Sequence, residues 1–382
     1  MVCQNNLVCL VPPVQPSLDP GFASPSSDGG PAGDAPAGDK YQWLEEGAHE
    51  VIAGVYRIPL PLPFDGLRAV NAYAIEAADG LVMIDSGWLL EATHKQLERS
   101  LAKIGAGFGD ISRFLVTHIH RDHYTQAIGL RRIYGMKVAL GAEEKHSLDL
   151  VLRKDPQAVS PQAGRLVRAG AEPLMKQMAQ AGMQPPPREA GYEEPDEWIA
   201  SGQIYDLGTR RLEAIATPGH TRGHVVFADT AAGLLFAGDH VLPHITPSIS
   251  LEAAPQELPL RDFISSLLLV RRMPDLALLP AHGPVSPSVH TRVDELLGHH
   301  DARLSAMLAV LADGPRTAYQ VAGAVRWTSR SKLLAELDLM NQMLAVGETL
   351  SHLDLLVARG LAAANSDGEV QHFRPAEQAA GR

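Results

Sequence analysis

Apolar runs alternate with amphipathic segments along the first half of this chain. Five runs rich in Val, Ile, Leu and Ala each predict a β-strand, at residues 50–60, 69–77, 81–85, 113–117 and 137–141. Asp79-Gly80 lies between the second and third runs and is a hairpin signal. Residues 88–105 place leucines at helical spacing and finish on Gly105, which is typical of a helix C-cap, and a further helical stretch leads to Gly135. This alternation predicts an α/β layered fold.

Strand patterns return after residue 200. Five further runs each predict a strand, at residues 203–208, 211–220, 224–230, 233–239 and 276–283. The later patterns are helical at residues 290–312, 317–326, 331–344 and 347–360, and they form a hairpin pattern at 361–373. The last three helices and the hairpin resemble a winged-helix module, so we predict a winged-helix-like domain over residues 301–376.

Residues 143–200 interrupt the rhythm of strands and helices. They carry helical patterns broken by several prolines and show no strand pattern. We therefore predict a helical insertion in a domain that covers residues 41–300. An insertion of this size is either a lid that shapes a binding site or a packed helical subdomain, and the sequence leaves both open.

Composition narrows the class of protein. The chain has 382 residues and a formal charge of −11, which argues against a protein that binds phosphate backbones. No run approaches the ~18–20 apolar residues that a membrane span needs, so we expect no membrane association. The two cysteines are Cys3 and Cys9, so neither a cysteine nucleophile nor a thiolate metal ligand is expected in the folded body.

The first forty residues differ from the rest of the chain. Residues 12–39 consist mainly of Pro, Gly, Ala, Ser and Asp, and such a segment cannot offset its ordering entropy by burial. We therefore predict a disordered tail over residues 1–40, with structure beginning near Tyr41. The first basic residue is Lys40, so the positively charged start of a secretory signal is missing and a cytoplasmic protein is expected.

The strongest chemical signal is the segment THIHRDH at residues 117–123, at the end of a predicted strand. It supplies four side chains that coordinate divalent metals such as zinc: His118, His120, Asp122 and His123. Four such groups within six residues are crowded and costly to bury unless a cation offsets them. The spacing therefore predicts a metal site.

Three later runs also end in a residue that can bind metal. His220 follows the tight turn Pro218-Gly219, and Asp239 and His282 each follow an apolar strand. Each signal is weak alone, but strands that end at one sheet edge would bring these side chains together.

With these motifs, the chain resembles the metallo-β-lactamase superfamily over residues 45–300. All five motifs of that family have a counterpart here: Asp85 in LVMIDSG, the THIHRDH group, His220, Asp239 and His282. The C-terminal pattern looks like the β-lactamase-like protein 2 branch, whose winged-helix module packs beside the active site. The resemblance implies a four-layer αββα sandwich with its site at one edge of two facing sheets.

Carried over residue by residue, the resemblance implies two divalent metal ions, with zinc favoured over iron or manganese. The implied ligands are His118, His120 and His220 for one ion and Asp122, His123 and His282 for the other. Asp239 would bridge both ions. Asp85 would touch no metal itself but would orient the residues that do.

The same ligand set implies a hydrolytic mechanism. The two ions would share a water, lower its pKa and present it as a bridging hydroxide, while polarising an oxygen of the substrate. Asp122 and Asp239 are the predicted catalytic residues, with Asp122 passing a proton to the leaving group.

Four residues beside the motifs are further candidates. His224 either orients a neighbouring ligand or packs at the start of a strand, and both interpretations stay open. Tyr124 is predicted to contact substrate by donating a hydrogen bond to an oxyanion. His240 and His244 are predicted to face substrate from a loop that borders the cleft.

The C-terminal module raises the question of nucleic-acid binding. Over residues 300–374 seven basic residues stand against eight acidic ones. The predicted third helix carries Arg359 as its one basic residue, together with Glu348 and Asp354. Such a module is a poor phosphate binder, so we expect a structural wall or a homodimer surface.

The sequence therefore predicts a dinuclear metal-dependent hydrolase that acts on a small or carrier-linked acyl compound, such as a thioester or ester. A single-strand-specific ribonuclease is the alternative, because winged-helix relatives include nucleases. A non-hydrolytic metal-binding protein on the same fold is the third possibility.

Overall fold

Two β-sheets pack against each other at the centre of the molecule. The computed structural model describes residues 41–63, 66–153, 161–183, 191–249, 252–254, 256–328 and 330–376. In this part of the chain the first sheet runs in the order β1 to β7: His49–Ile52, Val55–Pro61, Ala69–Ala77, Gly80–Ile84, Ile111–Val116, Lys137–Gly141 and Glu197–Ile199. The second sheet has the order β12-β11-β10-β9-β8, and its strands β8 to β12 are Ile204–Asp206, Arg211–Ala216, Val225–Asp229, Leu234–Gly238 and Ala277–Pro280.

Helices cover the outer faces of both sheets. In chain order, the described α-helices α1 to α9 are Glu91–Lys103, Arg121–Tyr134, Lys145–Leu152, Pro161–Arg168, Glu172–Gln180, Pro259–Arg272, Val289–Leu311, Ala318–Ala324 and Leu339–Ala358. A hairpin of Ala362–Asp367 (β13) and Val370–Pro375 (β14) follows them. Helices α1 and α2 share a core with the first sheet, and α6, α7 and α9 share one with the second. The predicted αββα sandwich is confirmed.

Strand β11 shows why the central strands are apolar without alternation. Leu234 and Phe236 belong to the core between the two sheets, whereas Leu235 and Ala237 belong to the core beneath the helices. Because both faces of the sheet are buried, no position of this strand is left for a polar side chain.

The predicted insertion at residues 143–200 contains one element that the sequence pattern does not indicate. Helices α3, α4 and α5 lie in it, as expected. However, the three residues of β7 pair in parallel with β6, with Trp198 opposite Leu140. The prediction that this segment has no strand is therefore wrong, because three residues are too few for a visible alternation.

Two further differences concern the number of elements that form. The run at 50–60 forms two strands rather than one, because the chain turns at Gly54, which has the left-handed φ of 73°. Helix α6 has no counterpart among the predicted elements. Residues 1–40, predicted to be disordered, lie outside the described residues.

The C-terminal region also differs from its prediction. Helix α9 is one helix of 20 residues, where the patterns at 331–344 and 347–360 predict two. Gly347 is buried inside it, and packing on both sides outweighs the ~1 kcal/mol that a helical glycine costs relative to alanine. The hairpin around Gly368 forms as predicted. The winged-helix module itself stays a prediction.

Helix α7 joins the two predicted domains. It has 23 residues and passes without a break through the predicted boundary at 300/301. The described residues from Tyr41 onward belong to one compact unit. The insertion is bonded to the C-terminal region as well, because Arg168 of α4 donates a pair of hydrogen bonds to the carboxylate of Asp354 on α9. None of the described helices is long and apolar enough to cross a membrane.

Candidate metal centre

The seven predicted ligands meet at one edge of the sandwich. They lie after β5 (His118 and His120), in the first turn of α2 (Asp122 and His123), between β9 and β10 (His220), after β11 (Asp239) and after β12 (His282). The structure groups them as His118, His120, His220 and Asp239, and as Asp122, His123 and His282. In each group, one ligand atom per residue lies within 4.8 Å of every other. Groups of this size and chemistry can hold a divalent metal ion.

Asp239 lies between the two groups. Its Oδ1 is 3.3 Å from Nε2 of His282 and 3.6 Å from Nε2 of His123, while its Oδ2 is 3.5 Å from Nε2 of His220. Burial opposes ionisation of this carboxyl group, but His282 and His123 hold its pKa well below the usual range. The carboxylate is therefore ionised, and each of its oxygens faces a different group.

Several ring nitrogens of the predicted ligands make no hydrogen bond within the described part of the chain. Nε2 is buried and has no hydrogen-bond partner among the described residues in three of these rings, His118, His123 and His282. The opposite nitrogens are occupied: Nδ1 of His118 lies 3.1 Å from Oγ1 of Thr117, and Nδ1 of His282 donates to the carbonyl of Ala69 at 2.7 Å. A buried ring nitrogen without a partner is costly, and a metal ion would satisfy it. The donor set fits the metal that the sequence implies.

The electrostatics of the two groups differ. Burial, together with the neighbouring His220, lowers the pKa of His120 to about 3, so this imidazole is neutral and its lone pair is available. Burial alone would lower the pKa of His123, but the surrounding carboxylates raise it to about 10. The carboxylates around the second group therefore favour a positive charge at this position, which either a proton on His123 or a bound cation can supply.

Asp85 contacts His123 of the second group directly and is linked to His118 of the first group through Thr117. Its Oδ2 accepts a hydrogen bond from Nδ1 of His123 at 2.8 Å. Its Oδ1 accepts from the backbone N–H and the hydroxyl of Thr117, at 2.8 and 3.0 Å. Asp85 has a left-handed φ of 58°, which is uncommon outside glycine and aims this short side chain at the ligands. The orienting role that the family resemblance implies for Asp85 stays a prediction, and these contacts favour it.

His224 lies in a comparable position. It is fully buried, and its ring stacks on that of His118 with centroids 5.1 Å apart. Nδ1 lies 2.9 Å from Oγ1 of Thr217, and Nε2 contacts the backbone of Asp239. The structure therefore favours the orienting interpretation of His224, because the ring contacts two of the predicted ligands.

Two predicted substrate contacts are wrong. Tyr124 lies on the buried face of α2, and its hydroxyl donates to the carbonyl of Glu193 at 2.6 Å, so it is not available to an oxyanion. His240 is also fully buried, with its ring 5.2 Å from that of Phe263, so it faces the helical layer rather than the cleft. In both cases the side chain fills the core behind the site.

His244 differs from these two residues because its side chain is exposed. It lies on the loop that follows Asp239. That loop folds back over the site, since the carbonyl of Ser248 accepts a hydrogen bond from Nδ1 of His220 at 2.6 Å. Substrate contact by His244 stays a prediction.

Asn71 supports the site and was missed by the sequence analysis. It is fully buried, and its amide nitrogen donates to the carbonyls of Pro280 and Gly283, at 2.9 and 2.8 Å, on either side of His282. Its Oδ1 accepts from Arg57 at 3.0 Å. The available signal was an amide side chain inside the apolar run at 69–77.

Known proteins are similar to this chain in both sequence and fold. The probable metallo-hydrolase YqjP of Bacillus subtilis is 23% identical over 339 residues, which cover 84% of this chain and 97% of that protein. A metallo-beta-lactamase family protein from Thermus thermophilus has a crystal structure that matches with 28% identity and a TM-score of 0.66, over 85% of this chain and all of that one. A beta-lactamase domain protein from Burkholderia ambifaria matches with 26% identity and a TM-score of 0.67, over 86% of this chain and 95% of that one.

The sequence family described as the metallo-beta-lactamase superfamily matches residues 65–282. This range includes every residue of the two ligand groups, from His118 to His282. The chain therefore belongs to the metallo-β-lactamase superfamily and is a metal-dependent hydrolase.

Proposed function

We propose that this protein is a dinuclear hydrolase that cleaves a small or carrier-linked acyl thioester or ester. The observation that carries the proposal is the position of Asp239, whose two carboxylate oxygens face different ligand groups. A carboxylate placed in this way supports two ions side by side. Zinc suits imidazole and carboxylate donors best, with iron or manganese as alternatives.

Two ions bound there would supply an activated water and an electrophile for the acyl oxygen. The chain supplies the proton transfer. Asp122 is partly exposed, with 16% of its side chain accessible, and its Oδ2 lies 3.6 Å from Nε2 of His123 and of His282. We assign to Asp122 the proton that the attacking water loses, which it passes to the sulfur or oxygen that leaves.

The reaction balances with water alone. A bond forms between the water oxygen and the acyl carbon, and the carbon–sulfur or carbon–oxygen bond of the substrate breaks. The products are a carboxylic acid and a thiol or alcohol. Asp122 ends the cycle in the protonation state in which it began.

The C-terminal region supports an acyl substrate over a nucleic acid. Helix α9 is packed on several sides, with Leu350, Leu353 and Leu356 almost fully buried. The carboxylate of Asp354 on this helix already accepts hydrogen bonds from Arg168. A helix embedded in this way is poorly placed to lie along a phosphate backbone, which supports the structural-wall prediction. The cytoplasmic location and the homodimer stay predictions.

A substrate panel tests the proposal. Purified protein with its metal content measured is given acyl thioesters, esters, lactones, a β-lactam and short single-stranded RNA. We expect thioester or ester hydrolysis that a chelator abolishes and added zinc restores, and that Asp239→Ala loses. The exposed Asn365→Ala variant is the control. RNA cleavage without acyl hydrolysis would favour the ribonuclease, and bound metal without hydrolysis would favour the non-hydrolytic alternative.

A further inference from the structure

A buried carboxyl group lies behind the first ligand group and belongs to neither group. Glu144 follows strand β6, just before helix α3, and its side chain is fully buried. The loop between β9 and β10 packs directly on it: a Cβ added to Gly223 would lie 2.2 Å from the backbone nitrogen of Glu144. Glycine at 223 is therefore what allows the two segments to approach so closely.

The contacts of Glu144 connect two ligand-bearing segments. Its Oε1 accepts a hydrogen bond from the hydroxyl of Thr221 and a longer one, 3.4 Å, from the backbone N–H of Ile119. Ile119 lies between His118 and His120 in the chain, and Thr221 directly follows His220. One carboxyl oxygen thus links the two loops that carry the three histidines of the first group.

The other carboxyl oxygen of Glu144 contributes no hydrogen bond to the described part of the fold. Oε2 is buried and has no hydrogen-bond partner among the described residues. Burial, reinforced by the nearby carboxylate of Glu252, raises the pKa of Glu144 to about 8. The group is therefore mainly a neutral carboxylic acid at pH 7, which a glutamine can imitate in shape and charge.

Glu252 is held separately and does not replace this link. Its Oε1 accepts from the backbone N–H of Arg222 at 2.8 Å, and its Oε2 accepts from the side chain of Gln256 at 2.9 Å. It fixes the residue after Thr221 but makes no hydrogen bond to the His118–His120 turn. Glu144 makes the bond to that turn.

We propose that Glu144 is a positioning residue that sets the spacing of His118, His120 and His220 and thereby the affinity of the first metal position. The inference rests on the proposed metal-binding function. Side chains that hold metal ligands in place typically contribute 10–100-fold to metal affinity. Glu144 makes its two hydrogen bonds to neighbours of the first group's ligands, so the second group should be unaffected by its loss.

Cobalt titration tests the proposal without reference to catalysis. Apo-protein is titrated with Co²⁺ against a competing chelator, and the visible absorption of the bound cobalt is recorded. For Glu144→Ala we expect one of two binding steps to weaken by about 10–100-fold with a changed spectrum, and the other step to stay within threefold. Glu144→Gln keeps the accepting oxygen and should restore both steps to within about threefold of wild type.

Two further variants keep the test decisive if Glu144→Ala folds poorly. Thr221→Val removes the strongest donor to Glu144 with little change in shape and should weaken the same single step. Asp229→Asn breaks a buried ion pair with Arg210 at the far end of β10, so it controls for general loss of stability and should leave both steps unchanged.

The outcomes distinguish a failure of the proposed function from a failure of the positioning role of Glu144. A wild-type protein that binds no cobalt would overturn the proposed function. A wild-type protein with two binding steps that Glu144→Ala and Thr221→Val leave unaltered, with only a lower melting temperature, would overturn the positioning role alone. Equal losses in Glu144→Gln and Glu144→Ala would also overturn it, because the accepting oxygen would then not matter.

Discussion

The backbone N–H of Asp239 donates a hydrogen bond to Nε2 of His224, over 3.1 Å. Because Nε2 is the acceptor, the ring is neutral and its proton lies on Nδ1, which donates to the hydroxyl of Thr217. Burial also holds the pKa of His224 well below its ordinary value. The histidine therefore fixes the backbone from which the carboxylate of Asp239 extends between the two ligand groups.

Replacing His224 should weaken both the fold and the metal site. In His224→Leu the N–H of Asp239 is left buried without an acceptor, so we expect the free energy of unfolding to fall by about 1–3 kcal/mol. Bound metal per chain should fall with it. Urea unfolding and elemental analysis measure the two effects. The exposed His244→Leu serves as control, and a His224→Leu protein with unchanged stability and metal content would contradict this role.

Removing the shared carboxylate should affect both metal positions. In Asp239→Ala each ligand group loses the oxygen that faces it, so we expect major loss of metal from a preparation that otherwise holds about two ions per chain. Elemental analysis against protein concentration is the measurement. Two fully retained ions would show that Asp239 is not shared. The Asp229→Asn variant again reports the effect of removing a buried carboxylate elsewhere.

Asn71 should matter to one position more than to the other. In Asn71→Ala the carbonyl of Gly283 loses its donor and Arg57 loses an acceptor, while the carbonyl of Pro280 keeps only the hydroxyl of Tyr73. We therefore expect a loss of about 2 kcal/mol of stability. The loop that carries His282 should loosen, and one ion should be lost first on chelator titration. Simultaneous loss of both ions at wild-type chelator concentration would argue against it. Asn365→Ala, on the exposed hairpin, is the matched control.

A buried histidine pair should make stability depend on pH. Nδ1 of His300 lies 3.2 Å from Nε2 of His352, between α7 and α9. Burial and the neighbouring ring lower the pKa of His300 to about 2, and burial lowers that of His352 to about 3. Below pH 6.5 these two histidines bind protons in the unfolded chain but stay neutral in the folded chain. Their contribution to the free energy of unfolding is therefore full above pH 6.5 and falls as the pH decreases.

The double variant His300→Leu/His352→Leu should remove that part of the pH dependence. We expect its unfolding free energy to fall less steeply between pH 6.5 and pH 4, by up to ~1.4 kcal/mol per pH unit for each proton no longer taken up on unfolding. Chemical denaturation at a series of pH values provides the slopes. Parallel slopes for the variant and the wild type would refute the assignment. His146→Leu, on the exposed side of α3, is the control.

The sequence predicted which residues cluster at the sheet edge because their signals are local. Asp239 and His282 follow strands whose two buried faces leave continuous apolar runs, and the end of such a run marks the sheet edge. His118 and His123 lie within six residues of each other, so their proximity needs no tertiary information. Strand ends and short spacings therefore suffice to predict a site of this kind.

The direction of a side chain was harder to predict than its place in the chain. Tyr124 and His240 both lie next to ligands, yet helical periodicity and the packing of Phe263 turn them into the core. Glu144 gives no sequence signal at all, because an acid at the start of a helix is common and its partners are 25 and 77 residues away. Such contacts depend on how loops pack, which composition and periodicity do not encode.

Helix α7 has a consequence for how this protein can be divided. A cut at residue 300 would sever the helix between Leu296 and Leu304, both almost fully buried, and expose core on both fragments. It would also leave Arg168 on one piece and Asp354 on the other. If the C-terminal region were replaced by that of a relative, α4 and α7 would therefore have to be replaced too, because both helices pack against it. In evolutionary terms, the insertion and the C-terminal region should change together.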